Sequence, residues 1–217
     1  MSVFVAEELS EVLNTKVVIG RINMGLLNRI IIDDVLLDDQ SGQEMLKVTR
    51  LSAKFDIMPF FKGKISISSV QLFGFNINLR KETPDSPPNF KFVLDAFASK
   101  DTVKKENSLD LRINSILIRR GRMSYHVLSE EETPGKFNAK HIQLQNIIAN
   151  ISLKALSKDS LNLGIKRLSL DEKASGFSLK KMSLKLVANN KQTNIDNFTI
   201  ELPETSLKLD TIHLEYD

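Results

Sequence analysis

Cysteine and tryptophan are absent from the 217 residues, and tyrosine occurs only twice. Without cysteine there are no disulfides, no thiolate nucleophile and no cysteine-based metal site, while the compartment stays open because reducing and oxidising ones both tolerate such a chain. No apolar run approaches the roughly eighteen residues that a membrane-spanning helix needs. The opening MSVFVAEEL lacks a basic start and a long apolar stretch, so no secretory signal is visible. Charge of one sign is missing too. Lys and Arg, 30 in all, interleave with 27 Asp and Glu for a net charge of +3, which argues against a nucleic-acid surface.

Catalytic equipment is equally sparse. The only histidines are His126, His141 and His213, and none has a metal-ligand partner at the i+2 or i+4 spacing, so they read as structural or surface residues and no metal or cofactor is expected. Asp33-Asp34 falls in a polar slot of the strand pattern and Asp38-Asp39 in a turn, so both pairs are expected to face solvent. Arg119, Arg120 and Arg122 form the densest basic cluster, read as a solvated strand end or turn. IGRINMGLL lacks the Gly-x-Gly-x-x-Gly spacing of a phosphate loop. The chain is expected not to be an enzyme.

What is present is strand periodicity. In KISISSVQL, Ile65, Ile67, Val70 and Leu72 are apolar and the residues between them polar. The pattern apolar-x-apolar-x-x-apolar-x-apolar is an alternation with one reset, as in a half-buried strand that bulges or bends at the polar pair. It recurs from Val17, Ile30, Leu46, Leu111, Phe137, Leu163, Phe177 and Leu207, with an imperfect copy from Thr193. Random placement at this apolar content gives about two matches in a chain this long, so the array carries the inference. The last four copies recur every 14 or 16 residues, which suits strands of about ten residues joined by short turns.

Two short helices interrupt the strands. In residues 3–13, Val5, Leu9, Val12 and Leu13 share one side and Glu7, Glu8 and Glu11 another. The apolar first turn, Val3 to Val5, reads either as simple packing or as the end of a longer apolar helix. Phe90, Val93, Leu94 and Phe97 predict a second helix over 90–98, after the proline-rich loop ETPDSPPN. The polar stretch 99–108 is the best candidate sub-boundary, read as an insertion within one continuous sheet. Short turns in the second half predict antiparallel neighbours. The last strand stops in full pattern, which suggests that the array continues beyond Asp217.

Ten or more strands each offer a row of Leu, Ile, Val and Phe, and about twenty helical residues cover only a fraction of that face. The sheet must fold over as a sandwich, close as a barrel, or curl into a trough that stays partly empty. Its lining is aliphatic, with little hydrogen-bonding or stacking equipment, which suits an acyl chain better than a nucleotide or an aromatic cofactor.

The runs LSEVLNTKVVIGRINMGLLNRIIIDDVLLDDQSG, LKVTRLSAKFDIMPFFKGKISISSVQLFGFNINLRKE and PNFKFVLDAF, covering residues 7 to about 97, resemble the N-terminal region of the AsmA-like, TamB-type translocation and assembly module family. The later strands resemble it more loosely. The resemblance implies a large periplasmic protein of a Gram-negative envelope, held in the inner membrane by an N-terminal helix this chain lacks. Its β-groove would conduct phospholipid toward the outer membrane, and an Omp85-type barrel protein would be its assembly partner.

The expected fold is therefore mainly β, a single extended antiparallel sheet curled into a half-open hydrophobic trough, one continuous segment over 1–217. Acyl chains are expected to contact Ile65, Ile67, Val70, Leu72, Leu111, Ile113, Ile116, Ile118, Leu163, Ile165, Leu168, Leu170, Leu179, Met182 and Leu184. The alternatives are a scaffold for outer-membrane protein assembly and a self-contained carrier such as a closed barrel.

Overall fold

A computed structural model describes residues 2–26, 28–55, 65–98, 109–110, 114–156 and 160–216. Helix α1 (Ser2–Leu13) leads into strands β1 (Val17–Gly25), β2 (Arg29–Asp38), β3 (Glu44–Phe55) and β4 (Ile65–Lys81). Helix α2 (Lys91–Ala98) precedes β5 (Leu109–Asp110), and the chain continues through β6 (Ser115–Val127), β7 (His141–Leu156), β8 (Ser160–Glu172), β9 (Ser178–Asn189), β10 (Gln192–Glu201) and β11 (Ser206–Glu215). Both helices fall where the apolar spacing predicts them. The expected turn at 59–63, the polar stretch 99–108, and Leu111 and Ile113 lie outside the described residues.

All strands belong to one sheet in the order β1-β2-β3-β4-β6-β7-β8-β9-β10-β11, with β5 paired to the start of β4. β1 and β11 are its edges and do not pair with each other, so the sheet is not closed into a barrel. It is mixed rather than wholly antiparallel: β4 runs parallel to β6 from Ser69↔Ser115 to Lys81↔Val127. The cause is the long connection between them, which returns the chain to the end where β4 began, whereas a short hairpin would have forced antiparallel pairing. Every other neighbouring pair on this path is antiparallel.

The resets in the sequence are where the side-chain alternation shifts. Ile19 and Ile22, Ile32 and Val35, and Val48 and Leu51 are each three apart, and their strands meet as Ile19↔Val35↔Val48 and Ile22↔Ile32↔Leu51. Because these neighbours reset at the same level, register is kept. Asp34 takes up the reset in β2 with φ 56, and Gly74 does so in β4 with φ 65. A side chain on Gly74 would meet Thr49 Oγ1 as well as adopt a left-handed backbone, so glycine is required there. Where one strand resets alone, a bulge results. Between Ile151↔Ile165 and Ala149↔Leu168 one residue of β7, Asn150, lies against two of β8, Lys166 and Arg167, which fill the expected polar slot.

Two expectations are corrected. Phe137 does not start a strand. It lies in the loop before β7, 63% exposed, and the β7 reset falls instead at Gln145-Asn146, where Asn146 has φ 55. The Phe73-Gly74 reset lies within β4, which runs 17 residues. Arg119 and Arg120 occupy a mid-strand bulge of β6, between Ile118↔Ala149 and Gly121↔Ile147, and not a strand end.

Helix α1 ends in a left-handed cap. Asn14 has φ 48, Thr15 N–H donates to Ser10 O at 3.1 Å, and Asn14 N–H donates to Glu11 O at 3.2 Å. Ser10 Oγ then accepts from Val17 N–H at 3.0 Å, fixing the helix to β1. Among the described residues α1 packs on β1 and α2 and on no other element. Val3 and Phe4 are exposed and Val5 is half-buried, so packing accounts for only part of the apolar first turn. No helix of the described residues is long and apolar enough to cross a membrane.

The buried cluster is Val48, Phe75 and Ile147, bordered by Leu46, Leu51, Leu72, Ile77, Ile118 and Met123. It lies on one face, toward the end of the sheet that carries the β2–β3 turn. A side chain on Gly121 would run into the Phe75 ring and stand 3.0 Å from Ile147 Cβ. Gly121→Ala is therefore expected to lower stability by about 1–3 kcal/mol. Phe75→Leu in the same chain should recover part of that loss, and additive effects in urea unfolding would show that ring and glycine do not compete for the same space.

Candidate functional site

The cross-strand register joins the proposed lining residues into continuous rows. One row runs Ile22, Ile32, Leu51, Leu72, Ile118, Ala149, Leu168, Met182, Ile200 and Leu207, each the direct partner of the next. Ten strands contribute one apolar side chain each. Nine steps of about 4.8 Å make the row roughly 40 Å long. A second row, Met24, Ile30, Ala53, Val70, Ile116, Ile151, Ile165 and Leu184, runs beside it. Leu163 pairs with Leu153 and Leu170 with Leu179, and the bulge at Ser68 brings Ile67 onto the face of Val70. Ile65 pairs through its backbone with Leu109.

The face beneath these rows is different. Its corresponding row is Asn23, Ile31, Ser52, Gln71, Leu117, Asn150 and Arg167, a mixture with no apolar continuity. A recess of about 620 Å³ there is lined by polar and apolar residues alike, with Ser152, Asn162, Lys185 and Val187 around Gly164.

The aliphatic rows are only partly covered. Ala149 is buried, but Val70, Leu72, Ile116, Ile118, Ile165, Leu168, Met182 and Leu184 are all half-buried. Central residues of a closed sandwich would be fully buried. Towards the β11 edge the cover thins further, with Leu207 at 47% and Leu209 at 39% exposed.

The carboxylates depart from expectation. Asp34 faces solvent, but Asp33, Asp38 and Asp39 are buried. Asp33 sits between Arg21 and Arg50, with Arg50 Nε donating to Oδ1 at 2.6 Å. Asp39 Oδ1 accepts from Ser41 N–H, Ser41 Oγ and Gln43 N–H, while Oδ2 accepts from Asn89 Nδ2 at 3.1 Å and pairs with Arg80 at 2.6 Å. Arg80 also bonds the Gln43 and Ser41 side chains. One carboxylate thereby fastens the β2–β3 turn to the end of β4 and to the approach to α2. Glu172 does the same at the β8–β9 turn, accepting from Gln143 N–H, Ala174 N–H, Ser175 N–H and Ser175 Oγ. These groups are structural clasps, and the polar-slot argument missed them because it counts solvent and ignores orphan turn donors.

The histidines are not three unrelated residues. His126 and His141 are direct cross-strand partners on β6 and β7, with Nδ1 atoms 3.1 Å apart. Sequence spacing could not show this, since the pairing spans a loop. His213 is exposed, and its ring meets Asn194 and Glu215. Comparison with family models and with curated proteins gives no match for the chain.

The clasps have a pH signature. Burial pushes the Asp39 and Glu172 carboxyls up, but the hydrogen bonds they accept outweigh it and hold both below the usual carboxylate range. The Arg50 hydrogen bond lowers Asp33, and those from Asn146 and Ser178 lower Asp171. A depressed folded value means that stability from these groups is complete above the unfolded value and is lost as pH falls through the folded one. The urea midpoint should hold from neutrality to about pH 5 and drop steeply below about pH 4. Asp39→Asn should cost about 1.5–3 kcal/mol at neutral pH and flatten the acid limb; an unchanged limb would show that Asp39 is not a clasp.

Proposed function

We propose that the aliphatic face of the open sheet holds acyl chains, and that the chain is a segment of an envelope lipid conduit. The observation that carries this is the unbroken, incompletely covered apolar row from Ile22 to Leu207 on one face, set against the mixed polar and apolar row behind it. An acyl chain asks for area and no fixed polar partner. Each methylene moved from water onto such a face gains about 0.8 kcal/mol, so sixteen or so carbons supply enough to hold a chain without any directed contact. Because the row crosses every strand on the main path of the sheet, an occupant finds equivalent surface all along it, which suits transfer better than tight retention.

In the AsmA-like, TamB-type setting this segment would stand in the periplasm of a Gram-negative cell, belong to a protein anchored in the inner membrane, and pass phospholipid toward the outer membrane. No nucleic acid, cofactor or catalytic role enters the proposal. The closed-barrel carrier is set aside because β1 and β11 do not pair. A second reading has its own observation: β11 is exposed at nearly every residue and offers a free edge with Leu207, Leu209 and Leu214. Such an edge accepts an added strand from a protein partner, as an assembly scaffold for an Omp85-type barrel would.

Photo-crosslinking separates the two. A probe at Leu72 or Leu168 should capture phospholipid, and one at Gln71 or Arg167, on the other face, should capture several-fold less. Leu168→Glu should cut the lipid that co-purifies by several-fold, while Arg167→Glu leaves it unchanged. Equal capture from both faces would defeat the conduit, and protein capture confined to β11 would favour the scaffold.

A further inference from the structure

We propose that His126, His141 and Glu132 bind a divalent transition-metal cation of the kind imidazole favours, zinc foremost, at the base of the β6–β7 hairpin. The site is separate from the aliphatic rows and does not depend on what they carry.

The three residues converge for reasons visible in the backbone. His126 and His141 are paired across the two strands, and Asn138 bridges His141 to close the tight turn before β7. The intervening loop folds back on the pair. Glu130 N–H donates to Val127 O at 3.0 Å, Asn138 Nδ2 donates to Glu131 O at 3.1 Å, and Lys140 pairs with Glu130 at 2.7 Å. Glu132 is thereby carried to within 3.8 Å of His126 Nδ1 and 4.0 Å of His141 Nδ1, both measured to Oε1.

The tautomer of His141 follows from its surroundings. Its Nε2 lies 3.0 Å from the Glu130 carbonyl, which can only accept, so Nε2 carries the proton and Nδ1 presents a lone pair. A backbone carbonyl that holds the remote ring N–H is the partner usually found behind a metal-ligating histidine. His141 is buried, so its ring is held in place before any ligand arrives. His126 Nδ1 faces the same point.

The distances select the ligand. Separations of 3.1, 3.8 and 4.0 Å between the two Nδ1 atoms and Glu132 Oε1 define a circle whose radius is about 2.1 Å, the length of a zinc–imidazole or zinc–carboxylate bond. A hydrogen bond between the rings accounts for the shortest separation alone. It leaves Glu132 too far from both nitrogens to bond, whereas a cation at the common centre engages all three. Two imidazoles and a carboxylate suit zinc and its neighbours over magnesium or calcium, which prefer oxygen, and they leave a position for water.

The test uses the whole chain, without an affinity tag that contains histidine, stripped with chelator and titrated with zinc chloride alone. One zinc per chain at micromolar affinity or tighter is expected, together with a rise in melting temperature. Cobalt(II) should give the intense visible absorption of a low-coordinate site. Glu132 is exposed, so Glu132→Gln cannot act by unfolding the chain, and it should weaken binding by at least about tenfold. His126→Gln should abolish binding, and His213→Gln should leave it intact. Absence of saturable zinc uptake by the folded protein would overturn the site, as would undiminished affinity in either Glu132→Gln or His126→Gln.

Discussion

A strand that inserts one residue into its alternation sends every side chain beyond that point to the opposite face, unless its neighbours do likewise or a bulge absorbs the extra residue. Everything else here depends on that constraint being met in strand after strand. Ile32 and Val35, Val48 and Leu51, and Leu72 and Phe75 are each three apart and lie beside one another, so β2, β3 and β4 reset together. Where β8 resets against β7, the bulge at Lys166-Arg167 keeps Leu168 on the face of Ile165. Without that insertion the residues on one side of it would turn from the aliphatic row into solvent. The matched insertions keep the oily side of the sheet single.

A sheet with one oily side and almost no helix to cover it must shelter that side unevenly. The end carrying the turns of Asp39 and Glu172 is the sheltered one, with Val48, Phe75 and Ile147 packed together. Toward the other end of the same strands, Val70, Ile116, Ile165 and Leu184 stay half-covered. Packing at the first end and the clasped turns beside it hold the strands in register, which lets the second end remain open without fraying. The division of labour runs along each strand.

Much of this was legible because the apolar spacing carries it. The reset after Ile32, the reset after Ile165 and the helix at the start of the chain are each read from spacing alone, and so is the membership of Leu72, Ile118 and Leu168 in one face. What spacing could not supply is anything set by a long connection or by a polar partner. The parallel β4–β6 pair follows from the return of the chain after Lys81, about which periodicity says nothing. Phe73-Gly74 hides a reset, since an aromatic residue occupies a slot that is polar elsewhere. Asp39 was placed in solvent by its type, whereas its burial is decided by the amides of Ser41 and Gln43 and by Arg80, all in need of an acceptor.

The same reasoning explains why the histidine pair lies where it does. At the sheltered end, each turn that joins the strands leaves donors and acceptors to be satisfied locally, and this chain meets the need with carboxylates at the β2–β3 and β8–β9 turns. The β6–β7 loop is longer, running from Leu128 to Lys140. Two facing imidazoles with Glu132 above them occupy the equivalent level of the sheet, one ring fixed by a backbone carbonyl. A cation there would do for the long loop what Asp39 does for the short one, closing it from within. Because that closure lies at the end opposite Val70, Ile116, Ile165 and Leu184, tightening it would stiffen the sheltered end and leave the half-covered surface around those residues as it is.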